Sequence, residues 1–348
     1  MGHTPPFACD RYQMKNAYIY VLFTAFLFGS MEVACKVGGA DLDPYQLTFL
    51  RFAIGGLVLL PFAIKELRQK QVRLGVRDLL QLLGVGTLGI PISMVLFQLS
   101  IMMSNASTVA VLICTSPFFT MVFAHIFTDE KLDRQKVPVL AIALVGILFM
   151  LRPWDVQEGN TMGGMLLMLL AAFFFGAYTI AGSVCVRRMG LMAQTSFSFL
   201  LGSLVLLVVI LLMGRPVLEG TVDNIMIILY VGIMVTGLGY FCYFKSIALS
   251  DAATGSFAFF LKPAIAPVLA RIILKETILW NTVVGIGLIL AASLLRIIMQ
   301  KQAGAVRKAE ERRRQGQNAA AQKYAAETAA PAVAEAAEEV AEGEEPNE

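Results

Sequence analysis

The chain has 348 residues, 57% of them hydrophobic and 15% charged, with a formal net charge of +3 and a mean hydropathy of +0.70. Soluble domains run nearer half apolar and a quarter charged, so this composition excludes a water-soluble globular chain. Runs of about 20 apolar residues recur, the length a helix needs to cross the hydrocarbon core, and the sequence reads as an all-α multi-pass membrane protein.

The opening stretch MGHTPPFACDRYQMK is polar for too long to be a signal peptide, so the first apolar run is read as a retained helix behind a segment 1–15. Ten transmembrane helices are predicted, at 16–37, 45–64, 77–100, 105–127, 136–151, 162–184, 194–213, 224–248, 253–273 and 280–299. The runs are continuous rather than alternating, which favours helices over strands. The third and fourth are parted by the short link Met102–Ser104. Residues 300–348 form a tail that is first basic (Arg307–Arg314), able to attract anionic lipid, and then acidic. The acidic part has too few large apolar residues to build a core, and disorder or transient helix is expected there.

Lys and Arg in the loops set the orientation. With the N-terminus inside, the inner side holds Arg11, Lys15, Lys65, Arg68, Lys70, Arg73, Arg77, Lys131, Arg134, Lys136, Arg187, Arg188 and the basic tail. The outer side holds Lys36, Arg152, Arg215 and Lys275. A plasma-membrane protein with both termini cytoplasmic is expected. The five cysteines (Cys9, Cys35, Cys114, Cys185 and Cys242) lie mostly in apolar runs without a C-x-x-C, and read as small packing residues rather than a disulfide framework.

An internal repeat organises the chain. FAIGGLVLL at Phe52–Leu60 returns as FLLGSLVLL at Phe199–Leu207, and FLFG at Phe26–Gly29 returns as FFFG at Phe173–Gly176, both offset by 147. An offset of 146 then pairs Gly86 with Gly232, Ser100 with Ser246, Ser104 with Ser250, Ala106 with Ala252, Thr108 with Thr254, Pro117 with Pro263 and Glu130 with Glu276. The predicted halves are 16–151 and 162–299, joined by an outer linker at 152–161. Each half holds five spans, an odd number, so the second enters the membrane from the opposite side. Two inverted five-helix repeats of this kind build many secondary transporters, with the substrate held near the midplane.

The motifs resemble a known family. The first half carries FGSMEVACK, TFLRF, SNAS…SPFFTMVFAHIFTDEKL and VGIL, and the second carries SDAATGSFAFFLKPAIAPVLARIILKE. These resemble the drug/metabolite transporter superfamily, and specifically its EamA-like exporters, over about residues 16–299. The resemblance rests on a glycine-led first helix ending in Lys (Gly29, Lys36), an arginine in helix two (Arg51), a proline in helix four (Pro117) and an acidic residue after it (Glu130). It implies a ten-helix transporter of small molecules. Glu32 departs from it, since that position is often an amide or hydroxyl residue there.

The charges inside the spans carry the chemistry. Lys262 lies about nine residues inside its predicted span, near the bilayer centre. A central lysine costs at least about 2.5–3.5 kcal/mol on insertion scales, which argues for a role. That role is either to meet an anionic substrate group or to pair structurally with a carboxylate. Pro263 and Pro267 follow it and, with Pro117, are expected to shape helices or gates by freeing carbonyls. Glu32 and Lys36 stand at i,i+4 with Arg51 nearby, so a small charge cluster is expected on helices one and two, Lys36 and Arg51 being assigned to structure. Glu32 is a candidate for substrate binding and for proton coupling. Further substrate-binding candidates are Tyr178, Tyr240, Asn105, Gln98 and Ser256, with Tyr243 and Thr254 behind them.

No HExxH, GxSxG or glycine-rich phosphate loop is present, and His125 and Glu130 match H-x4-E only by coincidence, so neither an enzyme nor direct ATP use is expected. No cofactor, metal or nucleic-acid partner is called for. The expected partners are a small-molecule substrate, the lipid bilayer and a proton or counter-substrate. The leading reading is a secondary transporter, in the exporter sense, of an amino acid or related zwitterion by alternating access, with Glu32 and Lys262 on one cavity. Alternatives are an anion exchanger for phosphorylated or carboxylated metabolites, using Lys262 with Arg51 or Arg271, and a channel or membrane scaffold.

Overall fold

A computed structural model of the protein describes residues 6–127, 158–249 and 252–277, with 142, 145 and scattered positions between 280 and 298. The spans predicted at 136–151 and 280–299 lie largely outside the described residues, as do Glu130 and the tail. Among the described residues every regular element is helical.

Seven helical runs are long and apolar enough to cross a membrane. The first, Asn16–Gly38, is made of α1 (Pro6–Gly29) and α2 (Met31–Gly38). The others are α3 (Pro44–Gln69), α4 (Val76–Met103), α5 (Ala106–Phe127), α6 (Met162–Met189), α7 (Leu191–Leu212) and α8 (Ile225–Leu249). A further helix, α9, runs from Ala252 to Ile273.

Helix α1 begins at Pro6, ten residues before the predicted start. The polar residues Asp10, Arg11, Gln13 and Lys15 do not oppose helix, and a proline at the first position is already set to the helical φ. The run long and apolar enough to cross a membrane nevertheless starts at Asn16, as the sequence predicts for the span. The first span is also not one helix. It breaks at Ser30, whose hydroxyl donates to Leu27 O at 2.9 Å and meets Tyr230 Oη at 2.7 Å.

Caps fix where α3, α4 and α6 start. Asp43 accepts from the N–H groups of Tyr45 (2.9 Å) and Gln46 (3.4 Å), with Pro44 in the first turn of α3. The same carboxylate receives Arg215 at 2.6 Å, tying α3 to the segment after α7. Thr161 caps α6 through Gly164 N–H at 3.0 Å. Asp78 accepts from Gly75 N–H at 2.8 Å and pairs with Arg188 at 2.8 Å.

Helices α4 and α8 each carry a widened turn, at Leu88–Met94 and Tyr230–Leu238. Pro91 supplies no N–H inside the first, and the Thr236 hydroxyl donates to Val231 O at 2.7 Å inside the second. The 146 offset maps Leu88 to Met234, so both widened turns fall at matching places in the two halves.

Packing between helices is carried by small residues. A Cβ built on Gly86 of α4 would run into Ser198 O and the Gly202 backbone of α7, and one on Gly202 would run into Gly86. At Gly29, a Cβ would strike Ile265 of α9. Lipid is as apolar as the helices themselves, so close backbone approach replaces the hydrophobic drive that packs soluble helices. Large apolar residues such as Leu22, Phe23, Leu211 and Met226 face outward, while Glu32, Arg51, Gln98 and Lys262 are buried. A polar centre inside an apolar exterior is the arrangement a bilayer demands.

Candidate functional site

The break at Ser30 turns α2 so that Glu32 and Cys35, three residues apart, present one face to α3, α4 and α9. From α9, Lys262 Nζ reaches Glu32 Oε1 at 2.5 Å. Glu32 is 0% exposed and Lys262 3%, so neither is open to water in this conformation. The second oxygen of Glu32 accepts no hydrogen bond from another residue. Pro263 has no N–H to offer the carbonyl of Phe259, and the Cys114 thiol of α5 stands 3.9 Å from that oxygen.

Arg51 of α3 enters from the other side. Its Nη1 contacts Cys35 Sγ at 3.2 Å and its Nη2 contacts Met94 Sδ at 3.5 Å. The guanidinium lies 4.6 Å from the centre of the Phe52 ring and 5.3 Å from that of Phe97. Gln98 of α4 donates through Nε2 to Cys35 O at 3.1 Å, while its Oε1 is unpartnered. Glu32, Arg51, Gln98 and Lys262 therefore converge around Cys35.

The predicted cluster on helices one and two is corrected in its partners. Lys36 does not pair with Glu32. It reaches Glu276 Oε1 at 3.4 Å and donates to Ser104 O at 2.6 Å. Glu276 also accepts from the N–H groups of Ala106 (2.7 Å) and Ser107 (3.1 Å) and from the Ser107 hydroxyl (2.7 Å), capping the start of α5. The one-residue break at Ser30 and the tight link at Ser104–Asn105 bring these groups together, and i,i+4 spacing alone carries no sign of either. Arg271 donates to the Glu276 carbonyl at 3.3 Å, more than two helical turns from Lys262.

The remaining candidates sit apart from the pair. Asn105 is the residue before α5, with its N–H bonded to Asn160 Oδ1 at 2.9 Å and its amide to Glu158 O at 3.1 Å, so it belongs to the end of the bundle. Tyr178 lies 3.5 Å from the Ser198 hydroxyl and packs near Gly89. Tyr240 meets Phe28 at a tilt and Phe199 edge-on, both at 5.1 Å between ring centres, and Phe199 meets Phe52 at 4.8 Å, which links it to Arg51 through two rings. Ser256 lies on α9. Pro263 and Pro267 are buried in α9, and Pro117 opens the second part of α5 just after a tightened turn at Ile113–Thr115. Sequence reasoning missed Cys35 and Met94 as the sulfur neighbours of Arg51. The spacing of Cys35 from Glu32 was the available signal.

Comparison with known proteins adds the following. A sequence profile described as the EamA-like transporter family matches twice, at residues 15–152 and 162–298. An uncharacterized transporter of Clostridium kluyveri is 35% identical over 303 residues, covering 85% of this chain and 97% of its own. One from Archaeoglobus fulgidus is 24% identical, covering 82% and 99%. Pseudopaline exporter CntI of Pseudomonas aeruginosa is 25% identical over 176 residues, 51% of this chain and 58% of its own. A crystal structure with 15% identity matches 83% of this chain and 99% of its own at a TM-score of 0.57, which shows a shared fold.

Proposed function

We propose that this chain, which belongs to the EamA-like transporter family, is a secondary active exporter of a small metabolite such as an amino acid. It works by alternating access around a midplane site that contains Glu32 and Lys262. The observation that carries this reading is the buried ion pair between them, one residue from each half of the chain. Two charges held in the apolar interior are costly, and a pair that a zwitterion can replace group for group returns that cost when substrate binds. The twofold profile match and the matching widened turns of α4 and α8 support two inverted repeats that rock around this site. The export direction is supported by the name of the relative from Pseudomonas aeruginosa. Glu32, as the carboxylate that would exchange a lysine for a proton or for substrate, is the coupling residue.

The test is counterflow in proteoliposomes. Vesicles loaded with unlabelled amino acid should accumulate the labelled compound transiently, and empty vesicles should not. Conductive leak without counterflow would identify a channel instead. Absence of both would leave a scaffold.

A further inference from the structure

Within the reading above, Arg51 stands out for what it lacks. The guanidinium is 1% exposed, yet no carboxylate lies within 4 Å of it among the described residues. Its polar neighbours are a thiol and a thioether, both weak acceptors that carry no charge to balance it. The two phenyl faces contribute cation–π attraction, which offsets part of the desolvation cost. Its Nε donates to nothing. The cluster as a whole holds two cations, Arg51 and Lys262, against one anion, Glu32.

The unpartnered atoms around it form a complementary set. Arg51 Nε is a charged donor with no acceptor, and Glu32 Oε2 and Gln98 Oε1 are acceptors without donors from other residues. All three belong to side chains gathered at Cys35: Arg51 contacts its sulfur, Gln98 its carbonyl, and Glu32 precedes it by three residues on the same helix. Buried polar groups in folded proteins are nearly always satisfied, so three orphans in one place mark groups kept for something that comes and goes.

We propose that Arg51 is the docking point for a carboxylate of the transported molecule, and that Glu32 Oε2 and Gln98 Oε1 receive its ammonium. This moves Arg51 from a structural charge to a substrate contact, and it deepens the transport reading by requiring the cargo to carry a carboxylate. A guanidinium suits the task because its fork matches both oxygens of a carboxylate, and soft sulfur neighbours yield easily to a charged ligand.

The experiment is thermal unfolding of the purified chain in detergent, as wild type, Arg51→Met and Arg51→Lys, titrated with glycine, acetate and glycinamide. These probes are small enough to enter whatever space surrounds the charges. Glycine and acetate should raise the wild-type melting temperature saturably by mass action, and glycinamide should not. Arg51→Met should fold, melt above the wild type in the absence of probe because an unbalanced buried charge has gone, and bind both carboxylates about ten- to a hundredfold more weakly. Arg51→Lys should keep a reduced response. Equal shifts in wild type and Arg51→Met overturn the proposal. So does an Arg51→Met chain that melts lower or fails to fold, which would assign the guanidinium to the fold. A wild type indifferent to both carboxylates overturns it too. A response to acetate at least as strong as that to glycine, lost in Arg51→Met, upholds the docking point while removing the amino-acid reading in favour of an anion exchanger.

Discussion

Glu32 and Lys262 join the two halves of the chain through a buried ion pair, with 2.5 Å between carboxylate and ammonium. They stand 230 residues apart in sequence: Glu32 lies just after the break at Ser30, and Lys262 lies beside Pro263 inside the continuous helix α9.

A pair of this kind has an asymmetric response to mutation. Glu32→Gln leaves two buried cations, Lys262 and Arg51, without an anion, at a cost of about 3–5 kcal/mol, whereas Lys262→Met strips Glu32 of its bonded partner but leaves the Arg51 charge nearby and should cost less. The double variant Glu32→Gln/Lys262→Met removes both and should recover most of that loss, or exceed the wild type. Thermal unfolding of the four proteins gives the coupling directly. Additive losses in the double variant would mean that the two charges do not depend on each other.

The Glu276 clasp is predicted to be structural. Glu276→Ala removes three acceptor contacts at the start of α5 and the partner of Lys36, and should cost about 1–3 kcal/mol. Glu276→Gln keeps an acceptor and should cost less. Lys36→Met should lose under about 1 kcal/mol, since its ammonium is partly exposed. Ligand-induced shifts in melting temperature should survive in all three, and their loss would move the clasp into the substrate site.

Gly86 and Gly202 hold α4 and α7 backbone to backbone. Gly86→Val or Gly202→Val must push the helices apart, and should cost at least about 1–3 kcal/mol with a lower yield of monodisperse protein. Gly84, two residues away and on the other face of α4, faces open space, so Gly84→Ala should be tolerated. A fully stable Gly86→Val protein would show that the two helices do not depend on this approach.

Much of this fold is legible in the sequence because lipid imposes simple rules. Continuous apolar runs locate α3 to α9 to within a few residues, since only helices satisfy their own backbone there. The interruptions are harder. Ser30 breaks a helix through a hydroxyl that reaches Tyr230, a partner 200 residues away. The widened turn in α8 contains no proline, so composition gives no hint of it.

The site is legible in its members more than in its pairings. Lys262 and Glu32 declare themselves as charges inside apolar runs, and the cost of burying them is knowable in advance. That Lys36 meets Glu276 rather than Glu32 depends on how α2 turns after Ser30. The isolation of Arg51 appears only when its neighbours are seen to be sulfur and phenyl rather than carboxylate.

The most direct test of the account is counterflow of labelled amino acids by wild type and by the Glu32→Gln/Lys262→Met double variant, reconstituted side by side. The account predicts saturable exchange by the wild type and none by a double variant that remains folded and monodisperse. Wild-type exchange rates in the double variant, or no exchange of any amino acid by the wild type, would contradict it.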